Sequence, residues 1–346
     1  MSCRGLQPEE GTVGELRFHV VSDTFTKGAE FSGNSLSDNA RLLTSASMKS
    51  ADGDILSPSV FLDGTTPAAA PLTKDGSDWV LSQFVFPLGG PTIDILAFGT
   101  DSDEATSVAD FEDFGVTQWV PVFNTGDAAA GVRFTQDTYT KQMDLLYGSV
   151  HGLSAREATG QLSLQHALAQ VIFNIRFADK PELAFIETNG TDRKYFVKGI
   201  FFVQDIEAYQ ADPANVPASN ITLKTLGTFV IDASRTHIES KWRDLSAQDD
   251  KFALPMNPVR RSAGNPDADA NIFFSDESSW YRNDIVRDKL YQLGNVLLVP
   301  EQPIPSFVLL YNYNGNDYYF TLSFPGEWIS GMKYIYNLEI GTVPTT

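Results

Sequence analysis

Residues 162–177, LSLQHALAQVIFNIRF, constrain the fold most, because their side-chain alternation changes phase in the middle. Leu162 and Leu164 alternate with Ser163 and Gln165. Further on, Val171, Phe173, Ile175 and Phe177 alternate with Gln170, Asn174 and Arg176, with Ile172 the one apolar exception. Such alternation is the signature of a strand with one buried face. A one-residue slip turns every side chain to the opposite face, so a continuous strand needs a bulge or crossover at His166-Ala167-Leu168-Ala169. A short helix is the competing reading, since Ala and Leu favour helices. The β-branched and aromatic run that follows favours the bulged strand.

The rest of the chain reads the same way. Short apolar runs lie between Gly, Pro, Asn and Asp clusters, which predicts an all-β protein. Strands are expected near residues 16–21, 55–62, 78–86, 93–99, 119–123, 131–135, 143–148, 194–204, 221–223 and 228–231, and again at 294–300. At the C-terminal end Phe307, Leu309, Tyr311 and Tyr313 alternate up to Asn314-Gly315, the turn pair that best fits a two-residue hairpin. Tyr318, Phe320, Leu322 and Phe324 follow, then Tyr334, Tyr336, Leu338 and Ile340, which together predict a three-stranded antiparallel meander. Residues 26–41 and 210–219 read as loops, and 233–292 as an irregular insertion with some helix. With 346 residues there is length for about two domains. The expected division is a flexible tail at 1–12, one domain at 13–157 and a second at 158–346.

Charge and cysteine content exclude several functions. The 25 basic and 44 acidic residues give a net charge of −19. That balance lacks the basic footprint that nucleic acid requires and disfavours electrostatic attachment to an anionic membrane. A single cysteine permits no intrachain disulfide and no multi-cysteine metal site. No run approaches the roughly 20 apolar residues of a membrane-spanning helix, and the opening MSCRGLQPEEG carries no secretory signal. Cys3 admits two readings, a chance cysteine in a polar tail or the lipid-bearing first residue of a mature lipoprotein.

No catalytic constellation is visible, and no cofactor is implied. G-x-S-x-G, a P-loop, H-E-x-x-H and a strand-linked G-x-G-x-x-G are all absent. His166 sits among apolar residues and reads as a structural histidine. The acidic groups at Asp52/Asp54, Asp101/Asp103/Glu104 and Asp110/Glu112/Asp113 read as solvated loops. Asn265, Asp267, Asp269 and Asn271 alternate oxygen ligands as calcium loops do, but lack the glycine and the bidentate glutamate of an EF-hand; no metal site is assigned. Trp280 and Tyr281, inside the polar insertion, are candidates for ligand contact through their aromatic faces.

Four motifs in order resemble one family. They are Trp79 with Phe86-Pro87 and Ile93-Asp94-Ile95-Leu96-Ala97-Phe98; Asp144-Leu145-Leu146-Tyr147; Leu162 to Ile175 with His166 at its centre; and Trp328, Gly331, Tyr334, Tyr336 and Leu338. Together the chain resembles the fimbrillin-like proteins of anaerobic Gram-negative bacteria, the subunits of type V pili. The resemblance implies two tandem transthyretin-like antiparallel β-sandwich domains and a structural, non-enzymatic role at the cell surface. It implies outer-membrane anchoring by a lipid on Cys3. Its partners would be other fimbrillin-like subunits and, in an alternative role as a non-polymerising surface lipoprotein, a glycan or host ligand. It further implies assembly by strand exchange: an arginine-specific protease removes the first strand, and a C-terminal strand of the next subunit fills the gap. In this chain the removable strand maps to residues 13–25, with Leu16, Phe18 and Val20 on one face. The cleavage site maps to Arg41 in its loop, and the donor to residues 334–346, with Tyr334, Tyr336, Leu338 and Ile340. The short extension after Ile340 and the large 233–292 insertion depart from a minimal stalk subunit.

Overall fold

The computed structural model describes residues 12–22, 36, 40–49, 55–57, 70–86, 92–101, 116–120, 131–135, 144–154, 159–177, 195–212, 217–233, 238–247, 291–313 and 316–340. In the first half the strands are β1 (Thr12–Ser22), β2 (Arg41–Lys49), β3 (Ile55–Ser57), β4 (Ala70–Asp75), β5 (Asp78–Phe86), β6 (Thr92–Asp101), β7 (Val116–Val120), β8 (Gly131–Thr135) and β9 (Asp144–Leu153). Then come β10 (Thr159–His166), β11 (Ala169–Phe177), β12 (Tyr195–Phe201), helix α1 (Ile206–Ala211), β13 (Leu226–Ala233) and β14 (Ile238–Ser246). The chain ends with β15 (Tyr291–Leu298), β16 (Phe307–Tyr313), β17 (Asn316–Leu322) and β18 (Lys333–Ile340). The protein is mostly β, with one six-residue α-helix among the described residues.

The first sheet runs β3-β2-β4-β5-β1-β10-β9-β6, and β2 also pairs with β6. That extra ladder, from Arg41↔Thr100 to Lys49↔Thr92, closes β2-β4-β5-β1-β10-β9-β6 into a ring, with the short β3 appended to β2. Within the ring, closure pairs the strand edges. Its core holds Leu42, Ala46, Trp79, Leu81, Ile93, Ile95, Leu146, Leu162 and Leu164. Two three-stranded sheets, β15-β11-β18 and β12-β16-β17, face each other across a second core. Val171, Phe173, Phe202, Leu298, Phe307, Trp328 and Leu338 fill it. A four-stranded sheet, β14-β13-β8-β7, draws strands from both halves of the chain. Its Phe134, Phe229 and Trp242 cover Phe98, Tyr147 and Leu297 in a third core.

The phase slip at 162–177 now has a physical cause. Leu162 and Leu164 point into the core of the ring, and Ala167 and Leu168 into the third core. Ala169, Val171 and Phe173 point into the second core. The stretch is two strands that change sheets across Ala167 and Leu168, which form a bend and not a helix. The backbone freed at that bend is paired. Ala167 N–H donates to Leu145 O at 2.7 Å and Gly331 N–H to Leu168 O at 2.9 Å, while Trp242 Nε1 donates to Ala167 O at 2.8 Å.

Several expectations are corrected. The pairing is not wholly antiparallel, because β1 lies parallel to β10 and β11 parallel to β18. The C-terminal meander is absent. β16 and β17 form the hairpin, with Tyr313↔Asn316 flanking Asn314-Gly315, but β18 leaves it for β11. Arg41 is not in a loop; it opens β2, a strand the sequence reading missed. Ile238–Ser246, inside the supposed irregular insertion, is a strand paired with β13. Residues 149–153, read as a connection, continue β9. Helix α1 occupies part of the 210–219 loop region and starts earlier. Its N-cap is Asp205, whose side chain accepts from Ala208 N–H, a standard cap.

Candidate functional site

Strand β1 is held on both sides. It runs antiparallel to β5, from Thr12↔Phe86 to Phe18↔Trp79, with an irregularity between Gly14 and Leu16. It runs parallel to β10, from Arg17↔Thr159 to Ser22↔Leu164. Leu16, Phe18 and Val20 therefore lie opposite Leu81, Trp79 and Leu162, all three buried. Arg17 Nη1 meets Asp75 Oδ2 at 2.9 Å, with both side chains largely exposed; such a pair adds little stability. What holds β1 is its two ladders and the residues beneath them.

Arg41 is exposed at the first position of β2, opposite Thr100, and its guanidinium donates to Ala40 O at 2.9 Å. Ala40 and Leu36 just before it are buried in the core of the ring. The arginine thus sits where the chain emerges from the core and is already accessible. Gly99 of β6 lies beneath it. A Cβ there would collide with Arg41 O and Leu42 Cδ2, so the close approach of β2 to β6 requires glycine.

The candidate donor residues are seated in their own subunit. Leu338 is in the second core, and Tyr336 packs against it and stacks on Phe173 at 5.3 Å. Tyr336 Oη accepts from Trp328 Nε1 at 3.1 Å. Burial raises the Tyr336 phenol above its ordinary range, opposed by that hydrogen bond. Tyr334 Oη accepts from Ile329 N–H and donates to Glu327 O, which ties the strand to the Trp328 turn. Ile340 is opposite Phe177. β18 is the last strand of its sheet, so its other edge has no partner strand among the described residues.

Two His–Asp pairs lie near these elements. His166 Nδ1 is 2.6 Å from Asp144 Oδ2, with side chains 4% and 1% exposed. The partner is a carboxylate that the sequence did not point to, and it opens β9. His151 Nδ1 is 2.9 Å from Asp94 Oδ2, and its Nε2 is 2.8 Å from Ser149 Oγ. That order of groups is the one a serine nucleophile uses. Here its place follows from a bulge. The β6–β9 register shifts between Ile93 and Ile95, Gly152 has φ of +74°, and Asp94 Oδ1 accepts the Gly152 N–H at 2.9 Å. The carboxylate satisfies the N–H that the bulge removes from the ladder.

One joint was not legible in the sequence. Glu301, at φ of +57°, accepts Trp242 N–H on Oε2 at 2.7 Å, and its own N–H donates to Trp328 O. Gln302 is buried and clamps Lys224 N–H and O together with Val299 O. Only distant partners identify this pair. Cys3, Trp280, Tyr281 and residues 265–271 lie outside the described residues. Among the described residues no group of three or more His, Cys, Asp or Glu could hold a metal ion, and no helix is long and apolar enough to cross a membrane.

A family model described as fimbrillin-like matches residues 63–346, well over half of the chain. Similar solved structures include candidate cell adhesion proteins from Bacteroides uniformis and Bacteroides ovatus. The first is 12% identical over 95% of this chain and 93% of that one, with a TM-score of 0.42. The second is 10% identical over 95% and 92%, with a TM-score of 0.46. A fimbrial assembly protein from Parabacteroides distasonis is 8% identical over 94% and 91%, with a TM-score of 0.42. No curated protein matches the chain.

Proposed function

This chain belongs to the fimbrillin-like family, whose members are structural proteins and not enzymes, and on that premise we propose that it is a cell-surface fimbrial subunit that assembles by strand exchange at β1. The observation that carries the reading is the position of β1. It closes the ring between β5 and β10, and the exposed Arg41 follows it in the chain. Cleavage at Arg41 would separate β1 covalently from the rest. Withdrawal of β1 would leave two unpaired ladders over Trp79, Leu81, Leu162 and Leu164, an acceptor for a strand from another subunit.

The donor role falls to residues beyond Ile340. β18 itself would have to remove Leu338 from its own core, where burial of a leucine is worth roughly 1.5–3 kcal/mol, and would also lose the packing of Tyr336 on Phe173. We further propose two tandem transthyretin-like units that meet at the crossover at Ala167 and Leu168; the pairing of β10 with β1 and β9 and of β11 with β15 and β18 supports this division. Before cleavage, a lipid on Cys3 would hold the precursor at the outer membrane; the partners in the assembled state would be other fimbrillin-like subunits.

A competition experiment tests it. The purified chain is nicked with an arginine-specific protease, with and without excess synthetic peptide of the β1 sequence. The peptide should suppress oligomers by occupying the acceptor. Equal oligomer yield with and without peptide would refute exchange at β1.

A further inference from the structure

We propose that residues 162–177 are the load-bearing line of the molecule: tension applied ahead of β1 and beyond β18 passes through β10, the crossover at Ala167 and Leu168, and β11, and it loads the ladder on each side in shear. The argument is topological. The described pairings include two parallel ladders, β1–β10 and β11–β18, and these two flank the crossover. In a parallel ladder the N-terminal end of one strand and the C-terminal end of the other lie at opposite ends. Force on the N-terminal side of β1, resisted through the C-terminal end of β10 at His166, therefore slides the strands along each other. The same holds at β11, which is entered at Ala169, while β18 is pulled from Ile340; their register runs from Gln170↔Lys333 to Phe177↔Ile340. Sliding strains all the hydrogen bonds of a ladder together. In an antiparallel ladder these two ends coincide, and the bonds would open one after another.

The link between the ladders is built to hold. It is two residues long, and both are fully buried in the third core. It is fastened on every side. Leu145 O receives Ala167 N–H, Trp242 Nε1 donates to Ala167 O, and Gly331 N–H donates to Leu168 O. Gln170 N–H donates to Met332 O at 3.0 Å, just where β11 meets β18. The His166–Asp144 pair anchors the end of β10 to the start of β9. Load entering from either ladder thus meets the junction of three cores before it reaches the next.

The inference concerns the chain before any cleavage at Arg41, held ahead of β1 by the proposed anchor on Cys3 and gripped by a neighbour after β18, and it rests on that reading. Its test uses single full-length chains, so it stands or falls independently of assembly. Both samples carry one handle at the C-terminus. The other handle is on Cys3, the only cysteine, in one sample, and on Ser22→Cys in a Cys3→Ser background in the second. The first arrangement shears β1 from β10, and the second peels it from its C-terminal end. The first rupture should need about two-fold or more force in the Cys3 arrangement, since its ladder bonds are loaded together. Trp242→Phe, which removes the bond to Ala167 O, should lower the force in that arrangement and not in the other. Equal rupture forces in the two arrangements would overturn the proposal, as would a Trp242→Phe effect of the same size in both.

Discussion

His166 Nδ1 lies 2.6 Å from Asp144 Oδ2, and this buried pair fastens the last residue of β10 to the first residue of β9 immediately before the chain changes sheets. Asp144 Oδ1 is also buried and has no hydrogen-bond partner among the described residues, so His166 is the main compensation shown for that carboxylate. Removal of one member of such a pair costs far more than replacement of both. His166→Ala should destabilise the chain by about 3–5 kcal/mol in urea unfolding, and His166→Leu with Asp144→Leu should recover most of that loss. A small effect of the single substitution would show that the pair does not hold the crossover.

Trp328 organises the other end of the molecule. It is fully buried, meets Phe202 edge-on at 6.3 Å and donates to Tyr336 Oη. Trp328→Ala should cost about 3–5 kcal/mol, the range for loss of a large aromatic from a core. Trp328→Phe should cost less and should leave the Tyr336 hydroxyl without its donor, which near-ultraviolet circular dichroism of the tyrosine would register.

Glu301 makes stability depend on pH in an unusual direction. Burial first, and the Glu327 charge to a lesser degree, raise its carboxyl above the ordinary value of 4.5, against the Trp242 hydrogen bond, the nearby Ser330 hydroxyl and Lys241, which lower it. A carboxyl raised on folding binds more protons in the native state. Its contribution is therefore present below the unfolded value and is lost as pH rises through the folded one. Glu301→Gln keeps the acceptor for Trp242 N–H and cannot ionise. Unfolding midpoints measured from pH 4.5 upward should fall less with pH in the variant than in the parent; identical slopes would contradict the assignment.

Gly99 controls how closely β2 packs on β6 beneath Arg41. Gly99→Ala places a methyl group against Arg41 O and Leu42, an overpacking of about 1–3 kcal/mol. The start of β2 should loosen, and cleavage by trypsin after Arg41 should accelerate several-fold while the unfolding midpoint drops. A lower midpoint with unchanged cleavage at Arg41 would show that access there is not limited by β2.

Strand existence was legible where side chains alternate in size and polarity. Residues 78–86 and 131–135 were read with the bounds that the structure has. The slip at His166 to Ala169 located the crossover, because a change of core forces a change of face. Partners were not legible. Alternation in Tyr334, Tyr336 and Leu338 fixes the buried face but not the neighbour, and β18 chose β11 over β17. Strand β2 was hidden because its buried face, Leu42, Thr44 and Ala46, is small and partly polar. Helix α1 follows an aromatic strand run directly, and only Asp205 and Glu207 mark its start. Glu301 and Gln302 owe their roles to partners as far away as Lys224 and Trp242, which no local pattern records.

The most direct measurement follows the intact chain through treatment with an arginine-specific protease, reading fragment masses and particle size together. Strand exchange at β1 predicts cleavage after Arg41, loss of the fragment that carries Thr12–Ser22, and growth into oligomers that persist in mild denaturant. Cleavage after Arg41 with that fragment retained and the protein still monomeric at high concentration would contradict the account.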